Sequence, residues 1–365
     1  MRTFISFLCI LLIAPLSCVL PSSHAPKGDE AVAARPNIIS YPQSGDVTHF
    51  FTHALVAHPH LGFAANNSMR LDYDRDCLTP DEFRAVLSSL YERGYALVDI
   101  ETTYTRSGEA KRVAFPFPEN KKPLVLSFDD INYYRKKMDR GMNDRLDADA
   151  SGRLFTYTDK AEEKVSFDNE VVTILENFIA AHPDFSYGGA RGVICLTGFD
   201  GVLGYRTDRD SPTRASETAR AKRVVAALKD RGWKFACHSY GHYHMKKLSP
   251  EKFRSDTDKW LAEVRPIVGD TDIYVYPYGE WEVKTSGGES RKHRYLKDCG
   301  FRLFCGVGTK EYYTRMNGDT LFMDRKPLDG FSLRNRESDY APYFDASAIY
   351  DSRRPVAFTS AESER

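Results

Sequence analysis

The stretch Leu124-Val125-Leu126-Ser127-Phe128-Asp129-Asp130 decides how this chain folds. It is a short apolar run that ends abruptly in two acids, which is typical of a buried parallel strand whose carboxyl end faces a cleft. A second run, Phe235 to Cys237, ends in the same way and is followed by His238-Ser239-Tyr240-Gly241-His242. The His-x-x-x-His spacing predicts two imidazoles one helical turn apart, on one face of a helix. Both strand ends therefore predict polar side chains at one edge of a sheet.

Two histidines and a carboxylate are a common ligand set for a catalytic divalent metal that keeps one coordination position open. Each motif alone has a plainer interpretation, because an Asp-Asp pair can be a turn or helix cap and His-x-x-x-His can be a helix surface. When both follow apolar runs, they favour a metal site, because a buried charge needs a partner or an ion.

The composition fits a globular enzyme. The chain has 365 residues and is 42% hydrophobic, enough for one large barrel-like domain with insertions or for two small domains. Its 51 basic and 51 acidic residues give a net charge of +0, so nothing indicates a nucleic-acid or anionic membrane partner. The cysteines beyond the N-terminal segment show neither a disulfide-framework pattern nor Cys-x-x-Cys spacing, although one bridge stays open.

Residues 1–25 have the features of a secretory signal peptide. A basic start is followed by the apolar run Phe4 to Leu20 and by Ser23-His24-Ala25, a small-x-small cleavage signal. An uncleaved membrane anchor stays open, because the run is nearly long enough to span a bilayer. Leu16-Ser17-Cys18 leaves a lipoprotein anchor at Cys18 as a further alternative. The protein is expected to be secreted or held in the cell envelope.

The rest of the chain alternates between apolar strands and amphipathic helices, which predicts an α/β fold with parallel strands covered by helices. Residues 26–45 are expected to be a linker, 46–345 the catalytic domain and 346–365 a loose C-terminal tail. Residues 131–165 turn polar and are expected to be an insertion rather than core, with a small hairpin lid beside the site as one form.

These motifs resemble those of the polysaccharide deacetylases, which are carbohydrate esterase family 4 or NodB-homology enzymes. Ser127 to Asp130 is similar to the first motif, Thr-Phe-Asp-Asp, and His238 to His242 is similar to the second, His-Ser/Thr-x-x-His. Tyr276-Pro277-Tyr278-Gly279 is similar to the end of the third motif, Arg-x-Pro-Tyr. The resemblance spans about residues 123–306 and implies a distorted (β/α) barrel of the NodB-homology type with an inserted polar segment.

The order of the motifs resembles that of a circularly permuted branch, which includes the poly-N-acetylglucosamine deacetylases. A helix-and-strand pattern over residues 83–95 precedes the Asp-Asp motif here, whereas it lies at the far end of the commonest members. In that branch an early strand supplies the general-acid histidine, which implies His53 in Phe51-Thr52-His53-Ala54-Leu55. His49 and His58 are rivals, and a structural histidine bound by a backbone carbonyl is the alternative.

The resemblance also implies a role for each site residue. Asp130, His238 and His242 would bind a divalent metal, expected to be zinc, and Asp129 would act as the base. His53 would protonate the departing amine, and the backbone N–H of Tyr278 would stabilise the oxyanion. The implied function is an exported, metal-dependent hydrolase that removes acetyl groups from an N-acetylglucosamine polysaccharide. His244 is a spare histidine that could supplement the ligands.

One position departs from the family pattern. Val275 stands where the third motif has an Arg that orients and tunes the catalytic Asp, and Arg325 is a candidate substitute. The departure supports a second hypothesis, a secreted carbohydrate-binding protein on a degenerate deacetylase scaffold, and hydrolysis of a different bond is a third. Peptidoglycan, exopolysaccharide, chitin and acetylated xylan stay open as substrates. Aromatic residues that could stack on sugar rings, with core packing as the alternative, are Trp233, Trp260, Trp281 and Tyr278.

Overall fold

The strands alternate with helices along most of the chain. The computed structural model describes residues 36–106, 109–282, 284–285, 288–308 and 314–358. The strands are β1 (Ile38–Tyr41), β2 (Thr48–His53), β3 (Tyr95–Leu97), β4 (Phe115–Pro118), β5 (Lys122–Asp129), β6 (Arg145–Ala148), β7 (Leu154–Tyr157), β8 (Val165–Ser166), β9 (Val193–Leu196), β10 (Lys234–Cys237), β11 (Ile273–Val275), β12 (Lys284–Thr285), β13 (Gly288–Glu289), β14 (Leu303–Val307), β15 (Thr314–Asn317) and β16 (Thr320–Pro327).

The helices lie between the strands and after the last of them. They are α1 (Pro59–Gly62), α2 (Arg70–Asp76), α3 (Pro80–Glu92), α4 (Val171–Ala181), α5 (Arg214–Asp230), α6 (Pro250–Glu263), α7 (Arg265–Val268), α8 (Arg291–Asp298), α9 (Gly330–Asn335), α10 (Glu337–Tyr340) and α11 (Ala346–Ile349). Within the described ranges every helix is too short or too polar to cross a membrane.

Parallel strands close into a barrel. The pairing order is β2, β5, β9, β10, β11, β14 and β16, and β16 pairs with β2 again. Two strands flank the barrel, because β3 adds to the first half of β5 and β15 pairs with β16 in the antiparallel sense. The predicted (β/α) barrel is confirmed, and the described residues from 36 to 358 form one compact unit rather than two small domains.

Strand alternation divides the barrel residues between two core clusters. Val125 of β5 packs with mostly small side chains from the other strands, such as Cys195 and Val275. Leu126 and Phe128 belong to the larger cluster that includes the helices. Because side chains two residues apart share one face of a strand, Val125, Ser127 and Asp129 all belong to the first, interior face. The alternation therefore carries Asp129 to the mouth of the barrel interior.

The residues at the N-terminus of α3 explain where this helix begins. Thr79 caps α3, its side chain accepts a hydrogen bond from the Glu82 N–H, and the Glu82 carboxylate accepts one from the Thr79 N–H at 2.8 Å. This capping box satisfies two N–H groups that the first turn would leave unpaired, and replacing such a cap costs roughly 0.5–2 kcal/mol. The helix predicted from Thr79 and Pro80 is present.

Two predicted boundaries are corrected by the structure. The predicted linker, residues 26–45, contains β1, which pairs with β4 through backbone hydrogen bonds that a flexible linker would lack. The predicted loose tail, 346–365, is packed over its described part. Arg354 is completely buried and forms an ion pair with Glu82 at 2.6 Å, which ties the C-terminal segment to α3. The predicted signal peptide, 1–25, and the Cys18 anchor lie outside the described residues.

The predicted polar insertion, residues 131–165, forms the antiparallel sheet β6–β7–β8. It is not a lid, since Leu146 and Leu154 are buried in the main core cluster and Asp147 pairs with Arg220 of α5. The prediction that the segment lies outside the core is therefore wrong, because its alternate residues supply apolar side chains. The described cysteines are all free thiols, so the bridge that the sequence left open is absent from this part of the chain.

Candidate active site

A cavity of about 470 Å³ opens at the carboxyl ends of the barrel strands. Parallel barrels bring polar side chains together at this end because every strand finishes there. The residues that line the cavity include every catalytic and metal-binding residue expected from the sequence: His53, Asp129, Asp130, His238, His242 and Tyr278.

Asp129 and Arg325 form a buried bidentate ion pair across the barrel mouth. The two guanidinium nitrogens donate to the two carboxylate oxygens at 2.7 and 2.9 Å, and both side chains are almost fully buried. Arg325 also donates to Ser127 at 3.0 Å, and its guanidinium lies 4.2 Å from the centre of the Phe51 ring. Burial alone would raise the pKa of Asp129, but Arg325 and His238 outweigh it and lower the pKa, so the carboxylate is ionised.

Arg325, the candidate substitute for the arginine missing at Val275, is thus the cation paired with Asp129. Val275 lies on β11 with its side chain buried in the barrel interior, and its carbonyl accepts a hydrogen bond from Nδ1 of His238 at 2.9 Å. Arg325 comes from β16, two positions after the interior residue Met323. The same strand period that places Asp129 in the interior thus places Arg325 opposite it.

Asp130 makes different contacts from those of Asp129. Its backbone adopts a left-handed conformation with φ of 60°, and its N–H donates to the Cys195 carbonyl at 3.1 Å. The Tyr134 hydroxyl donates to Oδ1 of Asp130 and lies 2.7 Å from the Thr197 hydroxyl. Oδ2 lies 3.8 Å from Nε2 of His242. One carboxylate oxygen is therefore held by the protein, while the other faces the histidines.

The two histidines converge from a loop rather than from a helix, so the prediction of one helical turn is wrong. His238 directly follows β10, and Ser239 and His242 have left-handed backbones with φ of 59° and 51°. The Ser239 hydroxyl accepts a hydrogen bond from the His242 N–H at 3.0 Å and closes the turn. The ring centroids of His238 and His242 lie 5.0 Å apart. A tight turn thus gives the convergence that the spacing led us to expect from a helix.

The donor set fits a divalent metal. One ligand atom each from Asp130, His238 and His242 lies within 4.8 Å of the others, a spacing that a single ion can bridge. Because a carbonyl can only accept, Nδ1–H of His238 is the donor to Val275, which leaves Nε2 with its lone pair. Burial lowers the pKa of His242 to about 4, so its imidazole is neutral. Burial would raise the pKa of Asp130, but the two histidines lower it to about 2.

His53 lies beside Asp129 in the barrel register and lines the cavity. Its Nδ1–H donates to the backbone carbonyl of Asp76 at 2.8 Å. Nε2 is therefore the ring nitrogen that this hydrogen bond does not use. The rival histidines do not line this cavity: His49 is buried against Ser127 at 3.0 Å, and His58 lies 3.4 Å from Thr158. Of these three histidines, His53 is the one in the site.

Tyr278 and His244 form the outer rim. Tyr278 has a left-handed backbone with φ of 59°, and 56% of the residue is exposed. Its ring stacks on His244 with a centroid distance of 4.1 Å and lies 4.8 Å from the His242 ring. His244 also contacts Glu280 at 3.0 Å and lies outside the donor group, so the structure gives it a rim position and not a ligand position.

Sequence reasoning missed Tyr134, which fixes Asp130, and treated the surrounding residues as a polar insertion. A tyrosine four residues after the Asp-Asp pair carried no recognisable signal by itself. Of the candidate sugar-stacking tryptophans, Trp233 and Trp260 are buried in the core, and Trp281 packs on Phe322 with ring centroids 5.1 Å apart.

Residues 200–303 match the family model for polysaccharide deacetylase. The predicted resemblance to the polysaccharide deacetylases is confirmed. The matched segment contains His238, His242 and Tyr278. Asp129, Asp130 and His53 lie before it, so their assignment depends on the motif and on the geometry described above. A place in the circularly permuted branch stays a prediction.

Solved structures of deacetylases resemble the fold. The Streptococcus pyogenes deacetylase PplD, solved with acetate, matches with a TM-score of 0.44 and 12% identity over 78% of this chain and 93% of its own. BC0361, a polysaccharide deacetylase from Bacillus cereus, matches with a TM-score of 0.44 and 13% identity over 78% of this chain and 65% of its own. A CE4 family pseudoenzyme from Bacillus anthracis matches over 36% of this chain, with 16% identity and a TM-score of 0.24. No curated protein sequence matches the chain.

Proposed function

We propose that this protein is an exported, metal-dependent deacetylase that removes acetyl groups from an N-acetylglucosamine-containing polysaccharide. The observation that carries the proposal is the convergence of Asp130, His238 and His242 beside an ionised, arginine-paired Asp129 within one cavity. Such a site has a three-ligand set and a separate carboxylate, which together suit hydrolysis of an amide.

The chain's own residues have distinct tasks in this reaction. A divalent metal held by Asp130, His238 and His242, with zinc favoured by the two imidazoles, would polarise the acetyl carbonyl and lower the pKa of the attacking water. Asp129 would take the proton of that water, while Arg325 keeps the carboxylate in place.

The remaining residues would act on the departing amine and on the oxyanion. His53 would deliver a proton from Nε2 to the departing amine, since its Nδ1–H is committed to the Asp76 carbonyl. The backbone N–H of Tyr278, at the rim, would donate to the oxyanion that forms when the acetyl carbonyl is attacked. Attack by water at the acetyl carbon breaks the C–N bond, so acetate and a free sugar amine are the products.

The alternative of a carbohydrate-binding protein on a degenerate scaffold was motivated by the missing third-motif Arg. Because Arg325 pairs with Asp129, this motivation no longer holds, and the catalytic hypothesis is preferred. Hydrolysis of another amide would give a product without acetate, so measuring acetate separates the two reactions.

The experiment is acetate release and free-amine formation from N-acetylglucosamine oligosaccharides, with zinc added and with metal removed by a chelator. We expect turnover with the metal-loaded protein and none after chelation. Binding of the oligosaccharides without acetate release from any of them would contradict the proposal.

Export is proposed from residues 1–25, which have a basic start, an apolar run and a cleavage signal after Ala25. N-terminal sequencing of the protein recovered from the producing cell's medium and envelope should begin at Pro26. A protein that retains Met1 in the cytoplasmic fraction would contradict export, and a lipid-modified Cys18 would identify the anchored alternative.

A further inference from the structure

A second cavity shares Phe199, and no other lining residue, with the active-site cavity. Its volume is about 480 Å³, and Phe199 lines both this groove and the active-site cavity. We call it the Phe199 groove. The residues that line it are Phe199, Tyr240, Gly241, Tyr243, Leu248, Lys252, Ser255, Asp256 and Lys259.

Phe199, which lies between the two cavities, is held in place by stacking and by backbone hydrogen bonds. The Phe199 ring stacks on Tyr134 with a centroid distance of 4.5 Å and an interplanar angle of 8°, and Tyr134 in turn donates to Asp130. The N–H groups of Gly198 and Phe199 both donate to the Tyr240 carbonyl at 3.0 Å. The groove therefore has a fixed position relative to the metal-binding carboxylate.

The floor and the wall of the groove offer an aromatic surface. Tyr243 is 53% exposed although it is a large aromatic residue. Its ring lies over Gly241, where a Cβ atom would come within 2.2 Å of the ring, so one face packs on backbone that only glycine allows. An exposed aromatic face next to Phe199 and Leu248 suits the apolar face of a pyranose ring.

Four of the lining residues lie on one face of α6, and two of them are lysines. Lys252, Ser255 and Lys259 recur at helical spacing, and the two lysines are about 10 Å apart along the axis at ~1.5 Å per residue. Within the described residues neither lysine forms a salt bridge, and the Lys259 ammonium lies 5.7 Å from the centre of the Tyr240 ring. Asp256, the acid in this lining, accepts hydrogen bonds from the N–H groups of Tyr240 and Gly241 at 2.8 and 2.7 Å.

The active-site cavity has no such excess, because its lining holds four acidic residues and four arginines or lysines. Lys136 and Lys137 line it with their ammonium groups near the Tyr134 ring, and Arg75 forms ion pairs with Asp72 and Asp76. Of the two cavities, the Phe199 groove therefore has the positive excess, with two lysines and one acid in its lining. Such a cleft complements an anionic ligand.

We propose that the Phe199 groove binds a second sugar unit of the substrate, one that carries a carboxylate, next to the acetylated unit in the active site. Tyr243 and Phe199 would contact the ring, and Lys252 and Lys259 would contact the carboxylate. The inference rests on the proposed function for the identity of the polymer, and it specifies an acidic N-acetylated glycan rather than a neutral one.

The test compares calorimetric binding of three oligosaccharides of equal length to the wild-type protein. The probes are a hexasaccharide of alternating N-acetylglucosamine and glucuronic acid, its methyl ester, and the neutral N-acetylglucosamine hexamer. We expect the acid to bind roughly three- to tenfold more tightly than its ester at low salt, because exposed ion pairs are individually weak, and the difference to shrink in high salt.

Variants without particular lysines show which residues cause the preference for the acid over its ester. The Lys252→Gln/Lys259→Gln protein should bind acid and ester equally, with its affinity for the ester unchanged. The matched control, Lys222→Gln/Lys229→Gln, removes two lysines with the same seven-residue spacing from α5, outside both cavities, and should keep the preference. Tyr243→Ala should weaken all three ligands.

Equal affinity of wild type for acid and ester would overturn the proposal, and so would a preference that survives in the Lys252→Gln/Lys259→Gln protein or disappears equally in the control. Acetate release measured on the same samples separates this inference from the proposed function. A binding preference without acetate release would support the groove and contradict the catalytic proposal. Acetate release from the neutral hexamer without a preference would do the reverse.

Discussion

Asp129 and Asp130 are adjacent in the chain, yet they belong to two different parts of the site. Asp129 is the last residue of β5 and is locked in the barrel interior by Arg325, a strand residue. Asp130 turns into a left-handed conformation and joins two histidines that come from a loop with two left-handed residues. We call the first the strand pair and the second the loop triad.

The strand pair is expected to contribute to stability, and the loop triad is expected to contribute to ligand binding. A buried bidentate ion pair is costly to break from one side, because the surviving charge has no water to solvate it. The loop triad instead holds three donors at 20% or less side-chain exposure with one face toward the cavity. We therefore expect changes in the strand pair to affect chemistry and folding, and changes in the loop triad to affect metal binding.

The largest effect is expected for Asp129→Asn. Acetate release should fall roughly 10²- to 10⁴-fold, the usual contribution of a general base. Bound metal, measured by elemental analysis, should stay at the wild-type level because Asp129 is outside the loop triad. Turnover close to that of wild type would remove Asp129 as the base, and loss of metal would show that the two parts are not separable.

Arg325→Met tests the strand pair from its other side. It should lower the free energy of unfolding by about 3–5 kcal/mol, since it leaves the Asp129 carboxylate buried without its cation. Arg75→Met is the matched control, because Arg75 pairs with Asp72 and Asp76 at the surface and should cost only about 0–1 kcal/mol. Urea denaturation measures both, and equal costs would contradict the distinction between the buried and the exposed pairs.

His242→Ala tests the loop triad. Zinc affinity should fall by more than the roughly 10- to 100-fold that loss of an outer-shell partner costs, because a direct ligand is removed. His244→Ala, two residues away and outside the donor group, should keep the wild-type affinity. Competition with a chelating dye measures both. Equal losses in the two variants would mean that the loop as a whole, and not His242, determines binding.

The strand pair and the loop triad also differ in how far sequence could predict them. The apolar run before Asp129 predicted a strand that ends in two acids, whereas the role of Asp129 as the base was implied only by the resemblance of the motif. Arg325 could be suggested but not paired with Asp129, because pairing depends on the closure of β16 against β2, a contact between residues 196 apart in sequence. The barrel was therefore easier to predict than the residues that its closure brings together.

For the loop triad, the sequence predicted the residue types but not the backbone conformation. The His-x-x-x-His spacing singled out the two histidines that the structure brings together with Asp130, but a helix was expected where the chain forms a turn with left-handed backbone at Ser239 and His242. These conformations are unfavourable for residues with a Cβ atom and are maintained by the surrounding structure, so local propensity argues against them. The ordered C-terminal segment was missed for a similar reason, since burial of Arg354 depends on a distant Glu82.

The smallest effect is expected for Tyr134→Phe, which leaves both parts of the site in place and removes one hydroxyl. Tyr134 donates to Oδ1 of Asp130, so its loss should reduce zinc affinity about 10- to 100-fold, as for other partners of metal ligands. The Phe ring can keep the stacking on Phe199, so the Phe199 groove should bind its ligands as before. Chelator competition and oligosaccharide binding measure the two effects separately. Unchanged zinc affinity would mean that the left-handed backbone alone orients Asp130, and a weakened groove would mean that the hydroxyl, through Thr197, also supports the partition between the cavities.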